Sequence, residues 1–152
     1  MLLLTISKLS AQERDSVITL PTVTVTSGAK VTKEVDKAFK TTFPGAENLK
    51  WYNLNKDYLA KFIQKDMTHN ALFTKRGYMK YDISYGYENN LPEDIKTKVK
   101  SSYDSYKINR VANVKADDRN IWVINLESLN TYVLVRIEND EMEEVERFNK
   151  SE

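Results

Sequence analysis

Two hydrophobic periods alternate along the chain, and each implies an element. Over residues 31–45, VTKEVDKAFKTTFPG sets Val31, Val35, Ala38, Phe39 and Thr42 on one helical stripe, with Lys33, Lys37 and Lys40 facing away. Pro44-Gly45 stops that helix. Three strand-like runs follow: ENLKWYNL, DYLAKFIQ and ALFTKRGYMKYDISYGYE. The last reads as two strands joined at Lys75-Arg76-Gly77, with further turns at Asn55-Lys56-Asp57 and over Asp66 to Asn70. A second helix is expected in LPEDIKTKVKSSY, with Pro92 near its start, Glu93 and Asp94 in its first turn, and Ile95, Val99 and Tyr103 on one face. After it come YKINRVANVK, NIWVINLE and TYVLVRIENDEMEEVERF, the last broken by a turn over Glu138 to Glu141. Ahead of both helices, SVITLPTVTVTSGAK is rich in β-branched residues and reads as an edge strand or extended linker, since Pro21 cannot donate to a central ladder.

The order helix then strands occurs twice. Ile95, Val99 and Tyr103 each follow Val35, Phe39 and Phe43 by sixty residues, so residues 31–88 and 91–149 read as two copies of one unit, within one domain over 31–152. A one-residue slip between the copies is expected around Leu49 and Ile108, so strand positions are not paired individually. Each copy is small for a core of its own. The expected fold class is therefore α+β: one shared antiparallel sheet, both helices on one of its faces, and the other face open to water.

Composition narrows this only slightly. The 152 residues are 41% hydrophobic, enough for a folded core, and 23 basic against 22 acidic groups leave a net charge of +1, so no global field draws the chain to nucleic acid or to a membrane. Charge is uneven locally: residues 30–80 hold eleven basic and five acidic groups, and residues 138–152 hold seven acidic and two basic, both read first as solvated faces. Without cysteine there are no disulfides, zinc-thiolate sites or cysteine nucleophiles. No later segment approaches the roughly 20 consecutive apolar residues of a membrane-spanning helix, so no membrane insertion is expected. The opening MLLLTISKLSAQE has a short apolar run and small residues before Gln12 but no basic n-region; residues 1–12 fit either the remnant of a secretory signal peptide or a frayed cytosolic terminus, with 13–30 extended behind them.

Candidate chemistry is sparse. His69 falls in the expected polar turn with nothing at ligand spacing beside it, and it reads as a solvated turn residue. No serine stands in a nucleophile-elbow context, and the four glycines are scattered singly, so neither covalent catalysis nor a phosphate loop has a candidate. Asp82, between Tyr81 and Ile83, is the one strand-embedded acid that a hydrolase or isomerase pocket could use. Glu138, Asp140 and Glu141 could hold calcium through carboxylate oxygens, although they lack a spaced ligand ladder and read better as an acidic hairpin tip. What stands out is aromatic surface, with nine tyrosines and two tryptophans. In YMKYDISYGY, alternation groups Met79, Tyr81, Ile83, Tyr85 and Tyr87 on the face expected beneath the helices, and Tyr78, Lys80, Asp82 and Ser84 on the other.

The segments F…FPGAENLKW, Tyr58-x-Ala60-x-Phe62, ALFTKRGYM and LPEDI followed by Tyr103 and Tyr106 resemble, in their order, the PepSY-like family over about residues 31–149. Those proteins look like beta-lactamase-inhibitor proteins in fold and occur mostly in the periplasm of Bacteroides-type bacteria. The resemblance implies two helix-and-sheet halves, a secretory route and no established enzyme activity. Many members carry an acidic pair before the turn glycine; here Thr74, Lys75 and Arg76 precede Gly77, so no cation site is implied in the first half.

These readings converge on an expectation: a periplasmic or secreted, non-catalytic binding module without a cofactor, possessing an inhibitor-like fold and contacting a protein or peptide. The contact surface is expected on the open sheet face, from among Trp51, Tyr52, Tyr58, Trp122 and Tyr132. The alternative is a cation-responsive or small-ligand-binding envelope protein using the turn at Glu138 to Glu141.

Overall fold

The structure, a computed structural model, describes residues 25–151, with side chains from residue 28 onward. The leader expected over 1–12, and residues 13–24 with Pro21, lie outside the described residues. Nine strands form one antiparallel sheet in sequence order: β1 (Val25–Ser27), β2 (Glu47–Leu54), β3 (Asp57–Gln64), β4 (Met67–Phe73), β5 (Met79–Gly86), β6 (Lys107–Ala116), β7 (Arg119–Glu127), β8 (Thr131–Glu138) and β9 (Glu141–Asn149). Helix α1 (Lys33–Thr42) joins β1 to β2, and a 3₁₀ turn (Glu88–Asn90) with helix α2 (Glu93–Ser102) joins β5 to β6. The class is α+β, as expected.

Turn chemistry sets the strand boundaries. Lys65-Asp66 and Asn139-Asp140 are two-residue loops in which both residues have positive φ, the conformation whose twist matches flanking antiparallel strands. The first loop is shorter than the expected turn over Asp66 to Asn70, so Met67 to Asn70 belong to β4. Bulges interrupt β2–β3 between Glu47 and Lys50 and β6–β7 between Ile108 and Arg110.

Register decides which side chains are buried. Cross-strand partners share a face, and one row runs Phe62, His69, Ser84, Asn113, Trp122, Ile137 from β3 to β8. Every member of that row is buried. Its two ends meet separate apolar clusters. Val35, Phe39 and Phe43 of α1 and its C-cap pack with Tyr58, Ala60, Phe62, Ala71 and Phe73, and the Phe39 ring lies 5.0 Å from Phe62 and 5.3 Å from Trp51. Val99 of α2 packs with Val111, Trp122, Ile124, Leu126, Val133 and Val135. Each buried Phe or Leu contributes about 1.5–3 kcal/mol by leaving water.

The alternation expected in β5 holds, but the face is the reverse of that expected. Asp82, Ser84 and Gly86 point inward, while Tyr81 and Ile83 are half-buried and Tyr85 and Tyr87 are about half exposed. Met79 alone of that set packs against the α1 cluster, because a bulge opposite Phe73 shifts its phase. Alternation fixes which residues go together, whereas the neighbouring strands fix which side they take.

Helix ends are tied to the sheet. Thr32 Oγ1 accepts from the Val35 N–H at 3.3 Å and donates to the Lys75 carbonyl at 3.0 Å, binding the start of α1 to the β4–β5 turn. Gly77 in that turn has φ +84°, and a Cβ there would sit 2.8 Å from the Glu34 carbonyl oxygen. Gly86 packs more closely still, since its Cβ would collide with Asn90 Oδ1; Asn90 in turn accepts from the Tyr87 N–H and donates to the Lys65 carbonyl. At the far end of the sheet, Tyr103 after α2 donates to Glu144 on β9 at 2.9 Å, and Arg147 donates to both Glu144 oxygens at 2.8 and 2.7 Å. The Arg147 guanidinium, with the Tyr103 hydroxyl, holds the Glu144 carboxyl below its usual range.

Gly77→Ala lowers unfolding free energy by about 2 kcal/mol or more, because strain at positive φ adds to a backbone clash; Gly45→Ala, at φ +78° with open space around it, loses less. Urea denaturation of both variants checks the order. Because the folded carboxyl of Glu144 is depressed, its contribution is complete above the ordinary glutamate range, about pH 4.3, and is lost as pH falls through the folded value. Glu144→Gln therefore shows a shallower loss of stability than the parent between pH 5 and pH 3, measured as urea midpoints.

Candidate functional site

The buried cross-strand row is apolar at its ends and polar in the middle. Beside it runs a second row, Ala60, Ala71, Asp82, Lys115, so β4, β5 and β6 bring His69, Asp82, Ser84, Asn113 and Lys115 together between the two apolar clusters. A cavity of about 490 Å³ opens over this seam. Its floor is His69, Asp82, Ser84 and Asn113, exposed by 8%, 2%, 3% and 4%. Phe43, Met67, Met79 and Trp122 form apolar walls, and Lys65 and Lys115 stand exposed at the mouth.

Geometry fixes the roles of the floor groups. His69 Nδ1 lies 3.0 Å from both Asp82 oxygens. A carboxylate only accepts, so Nδ1 carries the proton and donates. The imidazole is stacked on Phe62 at 4.8 Å with a 14° interplanar angle, and Phe43 meets it edge-on at 5.9 Å. The Asn113 amide nitrogen donates to Asn120 Oδ1 at 2.7 Å and to the Ile121 carbonyl at 3.2 Å. Both of those partners are acceptors, which sets the amide's orientation and leaves its oxygen facing other groups.

His69 is thus the principal correction to the sequence reading. It is neither in a turn nor solvated, and its partner is Asp82, the acid singled out for a strand-embedded pocket. The signal lay in the turns: once β4 starts at Met67, His69 falls opposite Ser84 and Asp82 becomes its diagonal neighbour.

The five aromatic candidates separate between faces. Tyr58 and Trp122 are buried in the two clusters, and Trp51 packs edge-on against Phe39 and Phe73. They do not line the open side, because Trp51 pairs with Ala60 and Trp122 with Asn113, both inward positions. Tyr52, with Lys61 Nζ 5.3 Å from its ring centroid, and Tyr132, 42% exposed with Lys150 beside it, point the other way. On that side the rows read Tyr52, Leu59, Leu72, Tyr81 and Asn70, Ile83, Val114, Ile121.

At the acidic turn, Glu138, Asp140 and Glu141 are not gathered into one ligand set. Glu138 is held by Arg119 at 2.7 and 3.0 Å and by Arg136, and the Arg119 guanidinium keeps its carboxyl below the usual range. Asp140 lies 3.5 Å from Lys98. Among the described residues no group of three His, Asp or Glu side chains is arranged to hold a metal.

The dyad yields a stability test. Asp82→Ala leaves the His69 donor without its acceptor and costs about 1–3 kcal/mol. His69→Ala in the same background costs little more, so the double-mutant cycle shows a coupling energy of that same order, read from urea midpoints.

No protein-family model and no curated protein matches the chain. Several solved structures do. A BLIP-like protein from Bacteroides fragilis superposes with a TM-score of 0.59 at 18% identity, covering 77% of this chain and 88% of its own. A DUF2874 family protein from Bacteroides ovatus gives a TM-score of 0.58 at 20% identity, over 80% of this chain and 89% of that one. A Bacteroides eggerthii protein, provisionally described as periplasmic, gives 0.55 at 15% identity, over 80% and 90%. At such identities the likeness concerns architecture, and the fold of this chain is that of the BLIP-like proteins of Bacteroides.

Proposed function

We propose that this chain is a non-catalytic binding module of the periplasm or the secreted space, and that it engages a protein partner through the open face of its sheet. On this reading the two helix-plus-strand halves are copies of one unit, and both helices shelter the same side. The observation that carries the proposal is the composition of the other side. Tyr81, Ile83 and Val114 are half-buried there, with Tyr85 and Tyr132 more than 40% exposed, and none packs into either apolar cluster among the described residues. The eight longer strands, β2 to β9, about 4.8 Å apart and about 26 Å long, offer roughly 1,000 Å², above the ~800 Å² per partner of a standard interface. Tyrosine gives such a surface contact area at small entropic cost.

One further observation supports the module over a cation sensor. A calcium response at Glu138, Asp140 and Glu141 would have to displace Arg119 and Arg136. For location, one structural neighbour is provisionally described as periplasmic, and no described helix is long and apolar enough to cross a membrane.

A photo-crosslinking amino acid at Tyr85, compared with one at Lys37 on α1, tests the surface in cells. The expected result is a partner captured from Tyr85 alone, whose purified form binds the parent at least about tenfold more tightly than Tyr85→Ala or Ile83→Ala, as anchor residues do. Equal capture from both sites, or unchanged affinity in both variants, refutes the open face as the contact.

A further inference from the structure

The cavity on the helix side is separate from that face, and its free hydrogen-bonding capacity has a definite sign. Asp82 is 2% exposed and receives one N–H, from His69, where a carboxylate offers about four lone-pair sites. Asn113 has committed its amide nitrogen to two acceptors, so its oxygen is what remains. Ser84, 3% exposed, lines the same floor with a hydroxyl that can accept. Three buried groups therefore present acceptors to one space, a carboxylate among them. A buried carboxylate short of donors is costly, and a ligand bringing several N–H groups and a positive charge relieves that cost.

The mouth has the opposite character. Lys65 and Lys115 are exposed there, and neither has a carboxylate partner among the described residues. Lys115 is the cross-strand neighbour of Asp82, yet no ion pair joins them. Between floor and mouth, Phe43, Met67, Met79 and Trp122 offer apolar contact. The volume of about 490 Å³ lies within the ordinary range for small-molecule sites.

We propose that this cavity binds a small zwitterion, a free α-amino acid, with its ammonium group on Asp82, Ser84 and Asn113 and its carboxylate toward Lys115 and Lys65. An ammonium carries three donors and no acceptor, which matches the floor. The side chain lies against the apolar walls.

Calorimetric titration of the full chain with the individual free L-amino acids tests this directly. Saturable binding of at least one is expected, with affinity lowered at least about tenfold for its N-acetyl derivative, its carboxamide and the Lys115→Gln variant, the loss of one charge-assisted hydrogen bond in each case. Lys115 is exposed, so that variant folds even if Asp82→Asn does not, and Ser84→Ala provides a second probe of the floor. The proposal is overturned if no amino acid binds, if the N-acetyl derivative binds as well as the free acid, or if the carboxamide and Lys115→Gln leave affinity unchanged. Tyr85→Ala retains amino-acid binding, which separates this site from the partner surface.

Discussion

Antiparallel register is the constraint from which the rest of the molecule follows. Once β3 to β8 are aligned, Phe62, His69, Ser84, Asn113, Trp122 and Ile137 must share one face. A helix about 10 Å across shelters only two or three strands spaced about 4.8 Å apart. The α1 cluster accordingly takes its buried sheet residues from β3 and β4, and the α2 cluster mainly from β6, β7 and β8. Strand β5 contributes no fully buried member to either. Its inward positions are Asp82, Ser84 and Gly86, and the polar seam lies where the apolar cover runs out.

Polar side chains can occupy such a seam only if they satisfy one another or meet something else. His69 and Asp82 do the first, and Asn113 does so through Asn120 and Ile121. What remains unsatisfied faces the cavity. The other side of the same strands carries the opposite arrangement, with Tyr81, Ile83 and Val114 set in rows where solvent has access. The two faces of β5 thus invert the usual rule that apolar residues go inside, and this inversion gives the sheet two surfaces of different chemical character.

Much of the architecture was legible in the sequence. The 3.6-residue stripes of Val35 and Phe39 and of Ile95 and Val99, the Pro-Gly stop and the alternating runs located both helices and the strands, because local periodicity records local geometry. The face of β5 was not legible, since alternation groups Tyr81 with Tyr85 without saying which group goes in, and hydrophobicity argues for the wrong one. His69 was missed for a related reason. The stretch from Asp66 to Asn70 is polar and resembles a loop, whereas the turn is confined to Lys65-Asp66 and the polar residues beyond it are strand. Trp122 lies on the helix side by the same logic, since its face is set by its pairing with Asn113 and Ile137 on the two flanking strands and not by its own apolar character. The expected acidic turn was located correctly, but its neutralisation depends on Arg119, which only the β7–β8 pairing brings near.

The contact between Gly86 and Asn90 links the end of β5 to the 3₁₀ turn ahead of α2 and, through the Lys65 carbonyl, to the β3–β4 loop. Any side chain at position 86 would evict the Asn90 amide, and with it the bond that fixes the loop. A side chain at position 86 therefore demands a different one at position 90, so these two positions are sterically coupled where β5, the 3₁₀ turn and the β3–β4 loop meet.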